Sequence, residues 1–213
     1  MDAVLFDLDG VLVDSEELWD RSRRQVVEES GGRWTPEATE AMIGMSSTQW
    51  SSYLQRQLDV PLSPAQISAA VVDRLLDRYR LHLPLLPGAG GAVARMAARW
   101  PLGLASSSNR PVIDTVLRMA GLDRLFAVTV SSEEVARGKP APDVYLEAAR
   151  RLGVDPGRCA VIEDSTNGIL AAVSAAMTVV AVPNPHFPPG PDALAMADRV
   201  VPTIGALTPE ILE

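Results

Sequence analysis

The chain has very little cysteine and histidine and no long apolar stretch, and each shortage excludes a class of protein. Cys159 is the only cysteine in 213 residues, so no disulfide can form within the chain and we expect a reducing compartment, the cytoplasm. His82 and His186 lie in no motif, which gives no support to a histidine-based mechanism. No apolar run approaches the roughly 18 residues of a membrane helix, and no basic leader precedes Asp7, so we expect neither a membrane span nor a signal peptide.

Positive charge is also scarce. The chain carries 19 Lys and Arg residues against 27 Asp and Glu residues, a net charge of −8. This balance argues against a nucleic-acid or anionic membrane partner, because either would need a basic face. With 47% hydrophobic and 22% charged residues, the composition is that of a folded globular protein. The length fits one core with an inserted or appended module, and we expect a monomer.

The first acidic feature follows a strand-like run at the start of the chain. Val4, Leu5 and Phe6 form an uninterrupted apolar segment, which is typical of a strand buried on both faces. Asp7 and Asp9 come next, and alternation along a strand would point both carboxylates the same way. Close carboxylates repel unless a cation lies between them or one takes a proton, so the pair suits either Mg²⁺ or acid/base chemistry. A solvated turn without function remains the alternative for this tetrapeptide alone.

Residues 15–84 are predicted to be entirely helical. Helices are expected over 15–30, 36–43, 46–58 and 64–83, with Ser15 as the cap of the first. No strand-like run interrupts them, which breaks the alternation of an α/β fold and indicates a separate inserted module. The linker Leu85–Gly88 then leads back to the core, which we assign to residues 1–14 and 85–213.

Beyond the linker, strands and helices alternate regularly. Strands are predicted at 102–105, 127–130, 160–162 and 178–182, and helices at 89–99, 111–119, 142–152 and 165–175. This order predicts an α/β protein with a doubly wound, Rossmann-like parallel sheet. Ligands of such sheets bind outside the carboxyl ends of the strands.

Polar residues follow three of these later strands at that end. Ser106, Ser107, Ser108 and Asn109 follow one strand, Lys139 lies beyond the next, and Glu163 and Asp164 follow a third. Each group has an ordinary explanation, since a serine can cap a helix and a lone lysine is usually a solvated charge. Their coincidence with Asp7 and Asp9 at one edge of a sheet favours a shared site.

The ordered set resembles the haloacid dehalogenase superfamily. The matching segments are Asp7–Glu16, Gly138–Asp143 and Val161–Gly168, and the resemblance covers essentially the whole chain. They are similar to the branch that contains β-phosphoglucomutases and small sugar-phosphate phosphatases. That branch carries a helical cap of the C1 type after its first strand, which agrees with the insert at 15–84.

The resemblance implies a role for each residue of the set. Asp7 would attack phosphorus and form an aspartyl-phosphate, and Asp9 would act as acid and base. Mg²⁺ would be held by Asp7, the Asp9 carbonyl and Asp164, with Glu163 in support. Ser106 and Lys139 would bind the transferring phosphoryl group. The wider set that we expect to contact substrate consists of Ser106, Ser107, Ser108, Asn109, Lys139 and Trp19.

The departures from the family pattern favour hydrolysis of a small phosphorylated metabolite. Metal-free dehalogenases of the superfamily lack an aspartate at the place of Asp9. β-Phosphoglucomutases carry a phosphate-binding arginine where this chain has Ser47 and a cap histidine where it has Trp19. A mutase remains the alternative, and a phosphoacceptor switch is a more distant one. Arg21, Arg23 and Arg24 are interpreted as solvated helix charges, and the sequence does not identify the substrate.

Overall fold

The computed structural model describes residues 1–42 and 44–213 and contains a parallel sheet of six strands in this described part. The strands are β1 (Ala3–Phe6), β2 (Leu102–Ser106), β3 (Phe126–Ser131), β4 (Cys159–Glu163), β5 (Thr178–Ala181) and β6 (Arg199–Val200). They lie in the order β3-β2-β1-β4-β5-β6, so the chain winds outward in both directions from β1. This strand order is that of a Rossmann-like doubly wound sheet, and the predicted fold class is confirmed.

The helices follow the predicted alternation. They are α1 (Glu16–Glu29), α2 (Glu37–Met42), α3 (Ser47–Gln57), α4 (Pro64–Leu81), α5 (Ala89–Ala97), α6 (Arg110–Ala120), α7 (Asp143–Leu152), α8 (Thr166–Ser174) and α9 (Pro191–Leu194). The predicted end of the second helix falls on Ile43, which lies outside the described residues. Among the described helices, none has the length and apolar character needed to cross a bilayer.

The first strand is buried on both faces, as its uninterrupted apolar run predicts. Val4 and Phe6 belong to one apolar cluster, with side chains of α5 and α6, whereas Ala3 and Leu5 belong to a second cluster, with side chains of α7 and α8. Successive side chains of β1 therefore enter opposite layers. Because both layers cover the strand, β1 is held at the centre of the sheet and its carboxyl end is fixed.

The helices α1–α4, called the cap below, are inserted between β1 and α5. The two segments that connect them to the core run side by side. Asp14 N–H donates to the Pro84 carbonyl and Leu86 N–H donates to the Leu12 carbonyl, both at 2.9 Å. This pairing places the start of α1 directly beyond the loop that carries Asp7 and Asp9.

The two C-terminal elements, α9 and β6, were not among the predicted elements. β6 contains only Arg199 and Val200, and both are exposed. Asp198 supports it, because its carboxylate accepts a hydrogen bond from Val179 N–H at 2.8 Å. A two-residue edge strand with a charged member has no apolar run, so the sequence pattern could not reveal it.

Candidate active site

Asp7 lies at the carboxyl end of β1 and is paired with Lys139. Its N–H donates to the Ile162 carbonyl at 3.0 Å, which extends the pairing of β1 with β4 by one residue. Lys139 Nζ donates to Asp7 Oδ1 and to Glu163 Oε1, both at 2.6 Å. The lysine is 4% exposed, and its Nζ lies 4.7 Å from the centre of the Tyr145 ring. The buried ammonium of Lys139 therefore links the carboxyl end of β1 to that of β4.

Glu163 is fully occupied by hydrogen-bond donors. Its Oε1 accepts from Lys139 and from the Tyr145 hydroxyl at 2.8 Å. Its Oε2 accepts from Asp164 N–H at 2.9 Å and from both the N–H and the hydroxyl of Ser165 at 3.0 Å. A carboxylate with five donors has little capacity left for another ligand. Glu163 therefore positions Lys139 and the loop after β4.

Burial and mutual repulsion give this cluster a high affinity for positive charge. Burial raises the pKa of Asp7 to about 7, while the charge of Lys139 opposes the rise. Burial, together with the charges of Glu163 and Asp7, also raises the pKa of Asp164 well above its ordinary value. Burial alone would lower the pKa of Lys139, but the carboxylates of Asp7 and Glu163 outweigh it and raise that pKa. The lysine stays charged, and a second cation would relieve the remaining repulsion.

The acidic cluster is suited to hold a divalent metal ion. Oxygen atoms of Asp7, Glu163 and Asp164 lie within 4.8 Å of one another. The Asp164 carboxylate fills the space above Gly10, where a side-chain Cβ would come within 1.8 Å of Asp164 Oδ2. Glycine is also required there by its φ of +78°. Since Glu163 is occupied by donors, the carboxylates of Asp7 and Asp164 are the two that remain for a hard cation.

Asp9 is oriented by a different set of donors. Its Oδ1 accepts from the Ser15 hydroxyl at 2.5 Å and from Trp19 Nε1 at 3.0 Å, and its Oδ2 accepts from the Ser108 hydroxyl at 2.6 Å. Its carboxylate is thus directed to the cap and to the loop after β2. Ser15 occupies the N-cap position of α1 as predicted, but its side chain makes no capping hydrogen bond and is bound to Asp9 instead.

The polar residues after β2 do not all face the same way. Ser107 and Ser108 line a cavity beside Asp7 and Lys139. Ser106 is fully buried, and its hydroxyl accepts the N–H of Ser108 at 3.0 Å. Asn109 was predicted to contact substrate, but its Nδ2 donates to Ser68 of the cap at 3.1 Å and to Glu133 at 2.7 Å, beside a neighbouring cleft. It connects the cap to the core, because the chain turns away from the cavity as α6 begins.

The cavity has a volume of about 60 Å³ and is lined by residues of both the core and the cap. On the core side it is lined by Asp7, Asp9, Ser107, Ser108, Lys139, Asp164, Ser165, Asn184 and Phe187. On the cap side it is lined by Glu16, Trp19, Arg23, Gly44, Met45 and Trp50. Of the cap residues, Trp19 was expected at the pocket. The others were not, since the sequence does not reveal how the cap lies on the core.

Arg23 is the clearest departure from the sequence-based interpretation. It is only 6% exposed, and its guanidinium carbon lies 5.1 Å from the ring centre of Trp19 and 5.3 Å from that of Trp50. The interpretation of Arg23 as a solvated charge was therefore wrong. A signal was present in the sequence, because Arg23 is four residues after Trp19 and so shares a helix face with it.

Comparison with known proteins places this geometry in a family. The model of the haloacid dehalogenase-like hydrolases matches residues 1–176. Hexitol phosphatase B of Escherichia coli K12 is 35% identical over 212 residues, covering 97% of this chain and 94% of that protein. The crystal structure of CbbY from Rhodobacter sphaeroides in complex with phosphate is 28% identical and superposes with a TM-score of 0.86 over 97% of this chain and 96% of that one.

A second solved structure, a putative β-phosphoglucomutase from Thermotoga maritima, is 29% identical and has a TM-score of 0.75 over 100% of this chain and 98% of that one. The resemblance inferred from the motifs is thereby confirmed. The family model covers most of the chain, and the arrangement of strands, cap and acidic cluster agrees with it, so the chain is an enzyme that belongs to the haloacid dehalogenase-like hydrolases.

Proposed function

We propose that this enzyme is a Mg²⁺-dependent phosphatase that hydrolyses a small phosphorylated metabolite, a sugar phosphate, through an aspartyl-phosphate intermediate. The observation that carries the proposal is the position of Asp7, whose carboxylate lines the cavity beside Asp164 while one of its oxygens is held by Lys139. A carboxylate so placed has its second oxygen available as a nucleophile. The phosphatase activity named for the hexitol phosphatase relative supports the same class of reaction.

In the first step, an oxygen of Asp7 bonds to phosphorus and the bond from phosphorus to the leaving oxygen breaks. Asp9 gives the leaving oxygen a proton, and in the second step it takes one from the water that hydrolyses the aspartyl-phosphate. Ser15, Trp19 and Ser108 fix the direction of the Asp9 carboxylate, which supports its assignment as the acid and base. Mg²⁺, bound by Asp7, Asp164 and the Asp9 carbonyl, would neutralise charge on the phosphoryl oxygens.

The remaining groups would hold the phosphoryl oxygens. An ammonium has three N–H donors, and two of those of Lys139 are used by Asp7 and Glu163. The third is available for a phosphoryl oxygen. Ser107 and Ser108 reach the cavity directly, whereas Ser106 lies behind them and supports the loop through Ser108 N–H. Phosphoryl transfer depends chiefly on such positioning and neutralisation of charge.

We further propose that residues 15–84 act as a closing cap, with hinges at Ser15–Glu17 and Leu85–Gly88. The support is that the cap forms one wall of the cavity while its covalent links to the core are two short chain segments. Closure would exclude water other than the reacting molecule. Small-angle scattering with and without Mg²⁺ and a phosphate analogue should show a more compact protein in the liganded sample, and identical profiles would contradict the hinge.

A mutase is the second candidate, because one structural relative is titled a putative β-phosphoglucomutase. The resemblance to that group implies a phosphate-binding arginine at the place where this chain has Ser47. Ser47 is 4% exposed and lines the neighbouring cleft, and it is not among the residues that line the cavity. The cap therefore lacks that means of holding a second phosphate, which favours hydrolysis.

The test is an assay of phosphate release from a panel of hexose, hexitol and pentose monophosphates with Mg²⁺, repeated after chelation of the metal. We expect Mg²⁺-dependent release from several members. The matched assay measures glucose 1-phosphate conversion with a bisphosphate primer. Primed conversion without net phosphate release would replace the phosphatase with the mutase, and no release from any member would reject the proposal.

A further inference from the structure

Arg23 is a buried cation whose donors the described residues leave unused. It lines the cavity from the cap side, and Lys139 lines it from the core side. Its Nε has no hydrogen-bond partner among residues 1–42 and 44–213. Trp19 and Trp50 lie against the guanidinium, and such contacts leave its N–H groups unsatisfied. Because an unpaired buried donor is costly, a group that accepts hydrogen bonds is expected at this place when the enzyme is at work.

Glu16 provides an acceptor on the same wall. It lies seven residues before Arg23, on the same face of α1, and also lines the cavity. Glu16 acts on Arg23 through its charge, without a hydrogen bond between them. The pair therefore presents a donor and an acceptor to the cavity, and neither is satisfied by the other.

The charge around the pair decides which ligand suits it. Four carboxylates line the cavity (Asp7, Asp9, Glu16 and Asp164), against the two cations Arg23 and Lys139. With the two charges of the proposed Mg²⁺ added, these groups balance, so a second phosphate would find no surplus positive charge and would lie beside the carboxylate of Glu16. A hydroxyl group is neutral, and it can donate to Glu16 while it accepts from Arg23. The rings of Trp19 and Trp50 add apolar surface for a carbon chain.

We propose that Arg23 and Glu16 form a subsite that binds hydroxyl groups of the polyol or sugar part of a monophosphorylated substrate, and that Arg23 determines specificity. This inference rests on the proposed phosphatase function. On this proposal Arg23 of the cap selects among phosphate esters, and the core residues carry out the phosphoryl transfer. It also predicts that sugar bisphosphates are poorer substrates than monophosphates.

The experiment compares a hexitol monophosphate with an aryl phosphate, whose leaving group has no aliphatic hydroxyls. In the Arg23→Gln variant, we expect the ratio of kcat/KM for the hexitol phosphate to kcat/KM for the aryl phosphate to fall by about tenfold to a hundredfold, mainly through KM. Arg24→Gln is the matched control, because Arg24 is exposed on the same helix and pairs with Glu28 at 2.8 Å. Its ratio should equal that of the wild type.

The outcomes separate the two proposals. If the wild-type enzyme releases phosphate from neither ester with Mg²⁺, the phosphatase function fails. If it cleaves both but Arg23→Gln leaves the ratio unchanged, the subsite is rejected. A loss confined to a sugar bisphosphate would also overturn it, since Arg23 would then bind a second phosphate. Should Arg23→Gln not fold, Arg23→Lys keeps the charge but loses the planar fork of donors, and the same fall in the ratio is expected.

Discussion

The core wall and the cap wall of the cavity differ in how far their charged side chains are hydrogen-bonded within the protein. On the core wall, Lys139 contacts two carboxylates and Glu163 accepts five hydrogen bonds. On the cap wall, Arg23 Nε has no partner in the described part of the chain. A wall whose polar groups are satisfied is rigid before substrate arrives, which suits phosphoryl transfer. A wall with unused donors is completed by its ligand, which suits substrate selection.

The largest expected effect is a loss of activity on mutation of a core-wall residue. Asp7→Asn removes the proposed nucleophile but keeps the shape of the side chain, so we expect kcat to fall on the order of a thousandfold or more. Phosphate release from the best member of the substrate panel measures it. Asp14→Asn is the control, because Asp14 is exposed at the end of the same loop. Retention of more than about a hundredth of the wild-type kcat would contradict the nucleophile assignment.

The next largest effect is a loss of stability on mutation of Lys139, which also belongs to the core wall. Lys139→Met leaves the buried carboxylates of Asp7 and Glu163 without their shared cation. Removal of one partner from a buried ion pair costs about 3–5 kcal/mol, and we expect a loss of this size in the free energy of unfolding. Urea denaturation at pH 7 measures the change.

Arg23→Met is the matched change on the cap wall. The guanidinium has no hydrogen-bonded partner to leave behind, and methionine supplies similar apolar volume between Trp19 and Trp50. The free energy of unfolding should therefore change by less than about 1 kcal/mol. Equal losses in Lys139→Met and Arg23→Met would show that the two walls do not differ in the way inferred.

The same difference between core and cap explains which site residues could be predicted from the sequence alone. The positions of Asp7, Lys139 and Asp164 follow from a local rule, because each lies beyond the carboxyl end of a strand and parallel topology brings those ends together. The apolar runs of the strands are recognisable without any tertiary information. The same rule does not place Asn109 at the cavity, because the turn into α6 directs its side chain to Ser68 of the cap.

The cap residues could not be predicted in the same way. Arg21, Arg23 and Arg24 look equivalent in the sequence, yet Arg23 is buried while Arg21 and Arg24 are exposed. Helical periodicity places Arg23 on the face of Trp19 and Val26, which indicates burial but not the presence of a cavity. That cavity arises only when α1 and α3 lie over the strand ends. Tertiary packing decides this placement, and no local pattern encodes it.

A smaller effect tests the hydrogen bonds that support Lys139. Tyr145→Phe removes the hydroxyl that donates to Glu163 at 2.8 Å and keeps the ring beneath Lys139. The loss of one donor to a buried carboxylate should cost about 1.5–3 kcal/mol in the free energy of unfolding. Tyr53→Phe, in the cap, is the control. If Tyr145→Phe had no effect on stability, the hydrogen bond from Tyr145 to Glu163 would not contribute to the rigidity of the core wall.

The last expected effect concerns the segment that leads from β3 to Lys139. Burial alone would raise the pKa of Glu134, but hydrogen bonds from Arg110, Ser131 N–H and Arg151 lower it to about 2. Since its folded-state pKa lies below its unfolded value, Glu134 stabilises the protein above about pH 4.5, and this contribution is lost as the pH falls toward 2.

Glu134→Gln should therefore reduce the free energy of unfolding by about 1 kcal/mol at pH 7, a value discounted because the side chain is 31% exposed. The deficit should shrink as the pH falls from 4.5 to 3, when measured by urea denaturation. Glu28→Gln is the counterpart in the cap, where an exposed ion pair with Arg24 is worth at most about 0.5 kcal/mol. A loss in free energy of unfolding that persisted unchanged in Glu134→Gln at pH 3 would mean that the shape of the side chain, and not its charge, stabilises the segment from β3 to Lys139. Charge pairing would then contribute less to the rigidity of the core wall than the cavity geometry implies.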